Sequence, residues 1–207
     1  MDTMEDTVLE GRLVRLEPLG EHHIEGLVAA ATDRSAYQWT FVPGTAAEAA
    51  RYVATARSWQ RDGIALPFAI VRRADDRVVG STRFWNLERW NWPAGHPRHG
   101  RAAPDACEIG HTWLARTAIR TGINTEAKAL LLTFAFERWE VLRVCLHTDA
   151  RNERSRAAIA RLGATFEGVL RAHRMAPDLT ARDSARFSIV AADWPATRQR
   201  LAGLVRA

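Results

Sequence analysis

The chain has 207 residues, of which 47% are hydrophobic and 26% are charged. This length and composition are typical of one globular domain and exclude a disordered tail or a fibrous protein. The 29 basic side chains outnumber the 24 acidic ones and give a net charge of +5. Because Lys128 is the only lysine and the arginines are scattered, the charge pattern argues against a nucleic-acid-binding surface.

Two further features concern the cellular compartment. Apolar runs such as residues 129–132 are too short to cross a bilayer, and three acidic residues among the first six do not fit a signal peptide. Cys107 and Cys145 lack the spacing of a metal site and fit a reducing compartment. We therefore predict a cytoplasmic protein with no membrane partner and no metal ion.

Hydrophobic periodicity predicts five elements in the first part of the chain. Thr45 and Glu48 have the spacing of a capping box, which marks the start of a helix. Residues 74–77 form a predicted turn between two antiparallel strands. In chain order, the elements are a strand at 11–16, helices at 21–31 and 45–63, and strands at 66–71 and 78–85.

A long loop rich in proline and glycine follows at residues 89–106, with only basic charges from Arg89 to Arg101. Loops of this length are often functional, so this one is either a lid that binds an acceptor or a solvent loop anchored by its own tryptophans. His96 and His99 lie in it, but a loop bent by prolines does not fix the geometry of metal ligands.

The next elements alternate as a βαβ unit followed by a second helix: a strand at 107–114, a helix at 125–139, a strand at 142–148 and a helix at 152–162. The helix at 125–139 is apolar on nearly all sides, so it packs against the sheet. Its N-terminus carries free backbone N–H groups and Gly122, which allows close approach. This turn is a candidate phosphate site, although an ordinary strand-to-helix turn explains the single glycine nearly as well.

The order of short motifs resembles a known family. Residues 108–114 followed by 120–127 are similar to the central acyl-CoA motif of the GNAT superfamily of N-acetyltransferases, in particular its RimJ/RimL-like branch of ribosomal-protein N-terminal acetyltransferases. The similarity continues through 148–157, 162–164, 167–171, 182–184, 187–189 and 193–195, and it spans about residues 9–196.

The resemblance implies an α+β (α/β) GNAT fold. Its mostly antiparallel sheet would have about seven strands, with a central splayed parallel pair, and about four helices would flank it. Residues 9–196 would form one acetyltransferase domain, and residues 197–207 would add a helical tail that covers the core or a partner. A homodimer is left open.

The resemblance also implies that acetyl-CoA binds as co-substrate between strands 107–114 and 142–148. Ile119 and Asn124 depart from the phosphate loop of the family. Because asparagine tolerates left-handed backbone, Asn124 is predicted to keep a glycine-like turn. The implied cofactor-binding residues are Trp113, Leu114, Arg120, Thr121, Gly122, Ile123, Asn124, Thr125, Asn152 and Ser155. Among these, Asn152 is also a good N-cap for its helix.

Three residues are predicted to be catalytic. Ser155 shares an inward helical stripe, and the matching serine of RimL-like proteins is suited to protonate the CoA thiolate. The alternative for Ser155 is a hydrogen bond back to its own helix. The base that takes the amine proton is sought among Glu108, His111, His147 and Asp149, and we favour His147 together with Glu108. For each of them, the alternative is a strand residue satisfied by a neighbour.

The acceptor is predicted to be a primary amine, either a protein N-terminal α-amine or a small neutral or acidic amine. It would attack the thioester directly in a ternary complex. The basic loop argues against a polycationic acceptor. The predicted acceptor-binding residues are Trp39, Trp85, Trp90, Trp92 and His111, although tryptophans in such segments often only pack.

Two alternatives come from other classes of protein. One is a non-catalytic CoA-binding or regulatory module, and the other is a basic protein associated with RNA or the ribosome.

Overall fold

The computed structural model describes residues 7–206, so the first six residues, with the acidic side chains considered above, and Ala207 lie outside the described part. Eight strands are described: β1 Leu9–Glu10, β2 Val14–Pro18, β3 Ala65–Arg72, β4 Arg77–Glu88, β5 Ala106–Leu114, β6 Arg143–Asp149, β7 Thr165–Met175 and β8 Ala181–Val190. The α-helices are α1 Ile24–Ala30, α2 Ala46–Arg61, α3 Ile123–Thr133, α4 Glu153–Arg161 and α5 Trp194–Arg206.

All eight strands form one sheet in the order β1-β2-β3-β4-β5-β6-β8-β7. Every neighbouring pair is antiparallel except β5 and β6. The predicted mixed fold with one parallel pair is therefore confirmed. Among residues 7–206, no helix is long and apolar enough to cross a membrane.

The counts of strands and helices differ slightly from the prediction. The segment predicted as one strand at 11–16 contains the turn and the second strand of a small hairpin. In this hairpin, Leu9 pairs with Leu16 and Glu10 with Arg15. The fifth helix is α5, which begins at Trp194 rather than at residue 197. Pro195 does not prevent this start, because the first turn of a helix needs no backbone N–H donor from its residues.

Helices cover both faces of the sheet. On one face α3 and α5 pack onto a core that includes Phe84, Leu131 and Leu201. On the other face α1 and α2 pack onto a smaller core that includes Leu27 and Val53. The apolar helix predicted at 125–139 is thus buried as expected, but it begins at Ile123 and ends in a π-helical turn from residue 134.

The parallel pair separates part of the way along its length. β5 and β6 share only three paired positions, the last of which joins Glu108 to Cys145. Beyond that point β5 stays with β4, and β6 stays with β8. A break in the β4–β5 register and a left-handed residue, His111 with φ 50°, lie in the same stretch. The splayed pair leaves backbone hydrogen-bonding groups facing a gap in the middle of the sheet.

Candidate active site

A cavity of about 1180 Å³ opens where β5 and β6 separate. This volume lies above the usual range for ligand pockets, about 300–1,000 Å³, so a large ligand or two smaller ones can enter. Its walls come from both faces of the sheet, with α2 and the residues before it on one side and α3 and α4 on the other. The connection between β7 and β8 closes the third side.

Backbone N–H groups at the start of α3 face this cavity region without partners. Arg120 and Gly122 have left-handed φ angles of 66° and 84°, and Gly122 is the N-cap residue. Within residues 7–206, none of the backbone N–H groups of residues 120–125 donates a hydrogen bond, and the helix ladder begins with Glu126 N donating to Gly122 O at 3.0 Å. Six free donors in the turn before the helix and in its first residues make this segment a candidate anion site.

The predicted left-handed turn at Asn124 is wrong. Asn124 is the second residue of α3, and the left-handed positions are Arg120 and Gly122. The chain completes its turn at Gly122, so Asn124 is already helical. Its side chain lines the cavity.

Most of the other predicted cofactor-binding residues also line the cavity, namely Trp113, Leu114, Arg120, Gly122, Thr125, Asn152 and Ser155. Two residues do not. The Ile123 side chain is buried in the core, and the Thr121 hydroxyl donates to Ala118 O at 2.7 Å. Thr121 and Ile123 line a separate, smaller cavity beside Leu13.

Asn152 and Ser155 lie together at the start of α4. Asn152 Oδ1 accepts a hydrogen bond from Ser155 N at 3.1 Å, which is the predicted N-cap contact. This contact leaves the side-chain NH₂ group of Asn152 free to donate. The Ser155 side chain is half-buried, and among the described residues its hydroxyl makes no hydrogen bond back to the helix. Both polar groups are available to a ligand.

Glu108 and His147 face each other across the point of separation. His147 Nδ1 lies 3.0 Å from Glu108 Oε2, an ion-pair distance, but the ring is not aligned for a hydrogen bond. Arg174 Nη2 lies 2.7 Å from the same oxygen. Burial acts to raise the pKa of Glu108, but His147 and Arg174 outweigh it and hold the pKa below its usual range. Glu108 is therefore a carboxylate at neutral pH.

The other two candidate bases are placed differently. Burial, reinforced by the charge of Arg83, lowers the pKa of His111 to about 3, so His111 is neutral and weakly basic. Asp149 is 1% exposed and accepts hydrogen bonds from the Arg151 side chain at 2.8 and 3.0 Å. Asp149 fits the alternative of a residue satisfied by its neighbour, whereas His147 keeps both ring nitrogens without a hydrogen bond.

The predicted acceptor-binding residues divide into two groups. Trp39 and His111 line the cavity. Trp85 lies behind His111, with ring centroids 5.1 Å apart, and Trp90 and Trp92 lie outside the cavity lining. Trp90 and Trp92 do not contact this cavity, and a role for them in acceptor binding stays a prediction.

Asp105 explains the position of these two tryptophans. Its carboxylate accepts from Trp90 N at 2.8 Å and from Trp92 Nε1 at 2.9 Å. Arg98 Nη2 of the same loop donates to Glu140 O at 2.8 Å. The loop leads into the start of β5, at the opposite end from the separated strands. The Trp92 side chain anchors it, whereas Trp90 is 43% exposed.

A group of potential metal ligands, Glu17, His22 and His23, lies outside the cavity. His23 uses both ring nitrogens, one 3.0 Å from Glu17 Oε2 and the other accepting from Gly20 N at 3.1 Å. Its polar atoms are satisfied within the protein.

Sequence reasoning missed Lys128 as a residue of this cavity. Lys128 Nζ donates to Thr112 Oγ1 at 2.6 Å and to Thr82 Oγ1 at 3.3 Å, and the residue is 6% exposed. Burial lowers the pKa of Lys128 to about 7, although Glu108 opposes the shift. The available signal was a single lysine within an otherwise apolar helix.

We expect Lys128 to make stability depend on pH. Because its pKa falls from 10.5 to about 7 on folding, the unfolded state binds more protons between these values. The free energy of unfolding of the wild type should therefore rise with pH in this window, relative to Lys128→Met, by about 1 kcal/mol per pH unit. Urea unfolding of both proteins from pH 6.5 to 9.5 measures the difference. If the free energy of unfolding of the two proteins changes with pH in the same way, Lys128 does not have a lowered pKa in the folded protein.

The geometry can be compared with known proteins. Residues 13–165 match the family model described as an acetyltransferase (GNAT) domain. The crystal structure of a GCN5-related N-acetyltransferase from Brucella melitensis has a TM-score of 0.81 and 28% identity, and the alignment covers 97% of this chain and 86% of that one. RimJ of Mycobacterium smegmatis in complex with CoA-disulfide has a TM-score of 0.78 and 23% identity, with 97% and 95% coverage, and it supports the fold alone.

A curated relative adds a local sequence match. "Putative ribosomal N-acetyltransferase YdaF" of Bacillus subtilis (strain 168) is 42% identical over 64 residues. The alignment covers 31% of this chain and 34% of the relative, so it spans about a third of either protein.

Proposed function

Since the chain belongs to the GNAT acetyltransferase family, as predicted from its motifs, we propose that it transfers an acetyl group from acetyl-CoA to a primary amine. The acceptor is a protein N-terminal α-amine or a small-molecule amine, and it attacks directly in a ternary complex. The observation that carries this proposal is the set of free N–H groups at residues 120–125 beside the separated strands. Few other ligands would need both an anion site and a slot between strands.

Acetyl-CoA supplies the acetyl group in activated form, as a thioester. The N–H groups of residues 120–125 are suited to hold its pyrophosphate, with the charge of Arg120 close by. The free side-chain NH₂ group of Asn152 is suited to bind the pantetheine amides. The backbone near Trp113 and Leu114 is suited to polarise the thioester carbonyl.

Two proton transfers remain for the side chains. The amine must lose a proton, and the carboxylate of Glu108 with His147 is the acceptor of that proton in this proposal. The Ser155 hydroxyl, which faces the cavity from α4, holds a proton suited to the departing thiolate. His147 is better placed than His111, because its Nδ1 atom lies 3.0 Å from Glu108 Oε2 and both of its ring nitrogens lack a hydrogen bond.

The name of one relative supports an amine of a ribosomal protein as one acceptor. YdaF is named as a putative ribosomal N-acetyltransferase. The proposal for this chain extends to peptides and small amines, because the acceptor side of a fold varies among its members. A cytoplasmic location and a homodimer stay predictions.

Incubation of the protein with acetyl-CoA and a panel of peptide and small-amine acceptors tests the proposal. We expect thiol release that requires both substrates, together with an acetylated amine identified by mass spectrometry. Stabilisation by acetyl-CoA with no release from any acceptor would favour the regulatory module instead. No effect of acetyl-CoA, with an affinity for RNA that falls steeply with salt, would favour the RNA-associated alternative.

A further inference from the structure

Arg83 is a charged side chain buried at the wall of the cavity. It lies on β4 and is 1% exposed. Its guanidinium carbon lies 5.0 Å from the ring centroid of Tyr52 and 5.3 Å from that of Trp59, both on α2. Aromatic faces hold an arginine in place without neutralising its charge.

The Arg83 guanidinium has no anionic partner within residues 7–206. Its Nε and Nη2 atoms are buried and make no hydrogen bond. The cavity lining contains two carboxylates, and both are engaged elsewhere. Glu48 accepts from Gly44 N at 2.7 Å in its capping box, and Glu108 pairs with His147 and Arg174.

The whole cavity carries the same imbalance of charge. Seven arginines and one lysine line it, against two glutamates. Arg182 on β8 also has a buried Nε atom without a partner. Burying an unpaired guanidinium costs several kcal/mol unless an anion compensates it. Water is a weak substitute, since arginine presents a planar fork that matches a carboxylate.

This inference rests on the proposed function, because it concerns the acceptor of the same reaction. We propose that Arg83 binds a carboxylate of the acceptor, so that the substrates are amines carrying a carboxylate near the amine. His111 lies next to Arg83 and remains neutral, so it does not compete for the anion. Tyr52 and Trp59 restrict the guanidinium, which favours one orientation of the acceptor in front of Glu108.

Two matched pairs of acceptors test the source of the carboxylate. One pair is an amino acid and its amide, and the other is a peptide amide with aspartate at position two and its asparagine analogue. For the wild type, we expect kcat/KM from thiol release to favour the carboxylate in at least one pair by about tenfold or more. The pair that shows the preference identifies the carboxylate as that of an amino acid or of a peptide side chain.

Arg83→Gln should reduce this preference to within about twofold through a higher KM for the carboxylate acceptor, with an unchanged KM for acetyl-CoA. Arg77→Gln is the matched control, because Arg77 lies on the same strand but outside the cavity, with its side chain 78% exposed. Arg83→Lys keeps the charge without the planar fork, so it should retain part of the preference. If the Arg83→Gln protein does not fold, the Arg83→Lys protein tests the proposal in its place.

The outcomes separate the two proposals. If acetyl-CoA stabilises the wild type but both members of each pair react equally, or neither reacts, the assignment of Arg83 is wrong while donor binding stands. The assignment of Arg83 would also be wrong if the folded Arg83→Gln protein kept the preference for the acceptor with the carboxylate. If acetyl-CoA neither stabilises the protein nor releases thiol with any acceptor, the proposed function itself fails.

Discussion

Replacing Gly122 with aspartate is expected to abolish the stabilisation of the protein by acetyl-CoA. Gly122 has φ 84°, and a Cβ atom there would lie 3.2 Å from Leu13 Cδ1. An aspartate side chain would place a negative charge among the N–H groups that are proposed to bind the pyrophosphate. We expect the dissociation constant to rise by at least about 100-fold, which removes the increase in melting temperature at moderate acetyl-CoA concentrations.

Gly95 provides a matched control for this substitution. Its φ of 87° imposes the same backbone cost on an added side chain, and its Cβ would meet no atom within 4 Å. Gly95 lies in the anchored loop outside the cavity. Gly95→Asp should lose intrinsic stability but keep the full shift produced by acetyl-CoA. The assignment of the phosphate site would be contradicted if both variants lost the acetyl-CoA-induced rise in melting temperature equally. It would also be contradicted if Gly122→Asp kept the full rise.

Replacing Glu108 with glutamine is expected to lower kcat by about 100-fold to 1,000-fold. The side chain is 4% exposed and lies 3.0 Å from His147 Nδ1. Glutamine keeps the shape and an oxygen that can accept from Arg174, but it removes the carboxylate that accepts the amine proton in this proposal. The KM for acetyl-CoA should change little, because Glu108 is not among the proposed contacts of the donor.

Steady-state kinetics of Glu108→Gln are best compared with those of Glu140→Gln. Glu140 also pairs with an arginine, Arg101, at 2.8 Å, but its side chain is 65% exposed and lies outside the cavity. The control should retain wild-type kcat. A wild-type kcat in Glu108→Gln would move the base to His147 alone or to a water, whereas a parallel loss of donor binding would indicate a structural role.

The position of the α3 N-terminus was predictable from the sequence because local signals determine it. An apolar helix must be buried, so its N-terminus has a fixed position, and Gly122 marks the turn that frees the backbone donors. The inward position of Ser155 followed in the same way from its helical stripe. The left-handed conformation predicted for Asn124 was the exception. Asparagine tolerates this conformation, but its presence in a turn does not indicate which residue of the turn adopts a positive φ angle.

The acceptor half depends on contacts between distant segments, and those contacts have no local signature. In the sequence, Trp90 and Trp92 fit a lid over the acceptor. In the structure, the Asp105 carboxylate accepts hydrogen bonds from the Trp90 backbone and the Trp92 side chain. Composition does not indicate that Arg83 and Lys128 are buried, because each contacts residues far away in sequence. The basic loop lies outside the cavity, so its charge does not act on an acceptor there. The arginines that line the cavity disfavour a cationic acceptor instead.

Hydrogen exchange with and without acetyl-CoA tests the central claim most directly. In the free protein the amides of residues 120–125 have no hydrogen-bond partner among the described residues, so they should exchange rapidly. Saturating acetyl-CoA should slow exchange in a peptide covering these residues by about tenfold or more and leave the loop at 89–101 unchanged. Unchanged exchange at residues 120–125, or protection confined to other segments, would contradict the account.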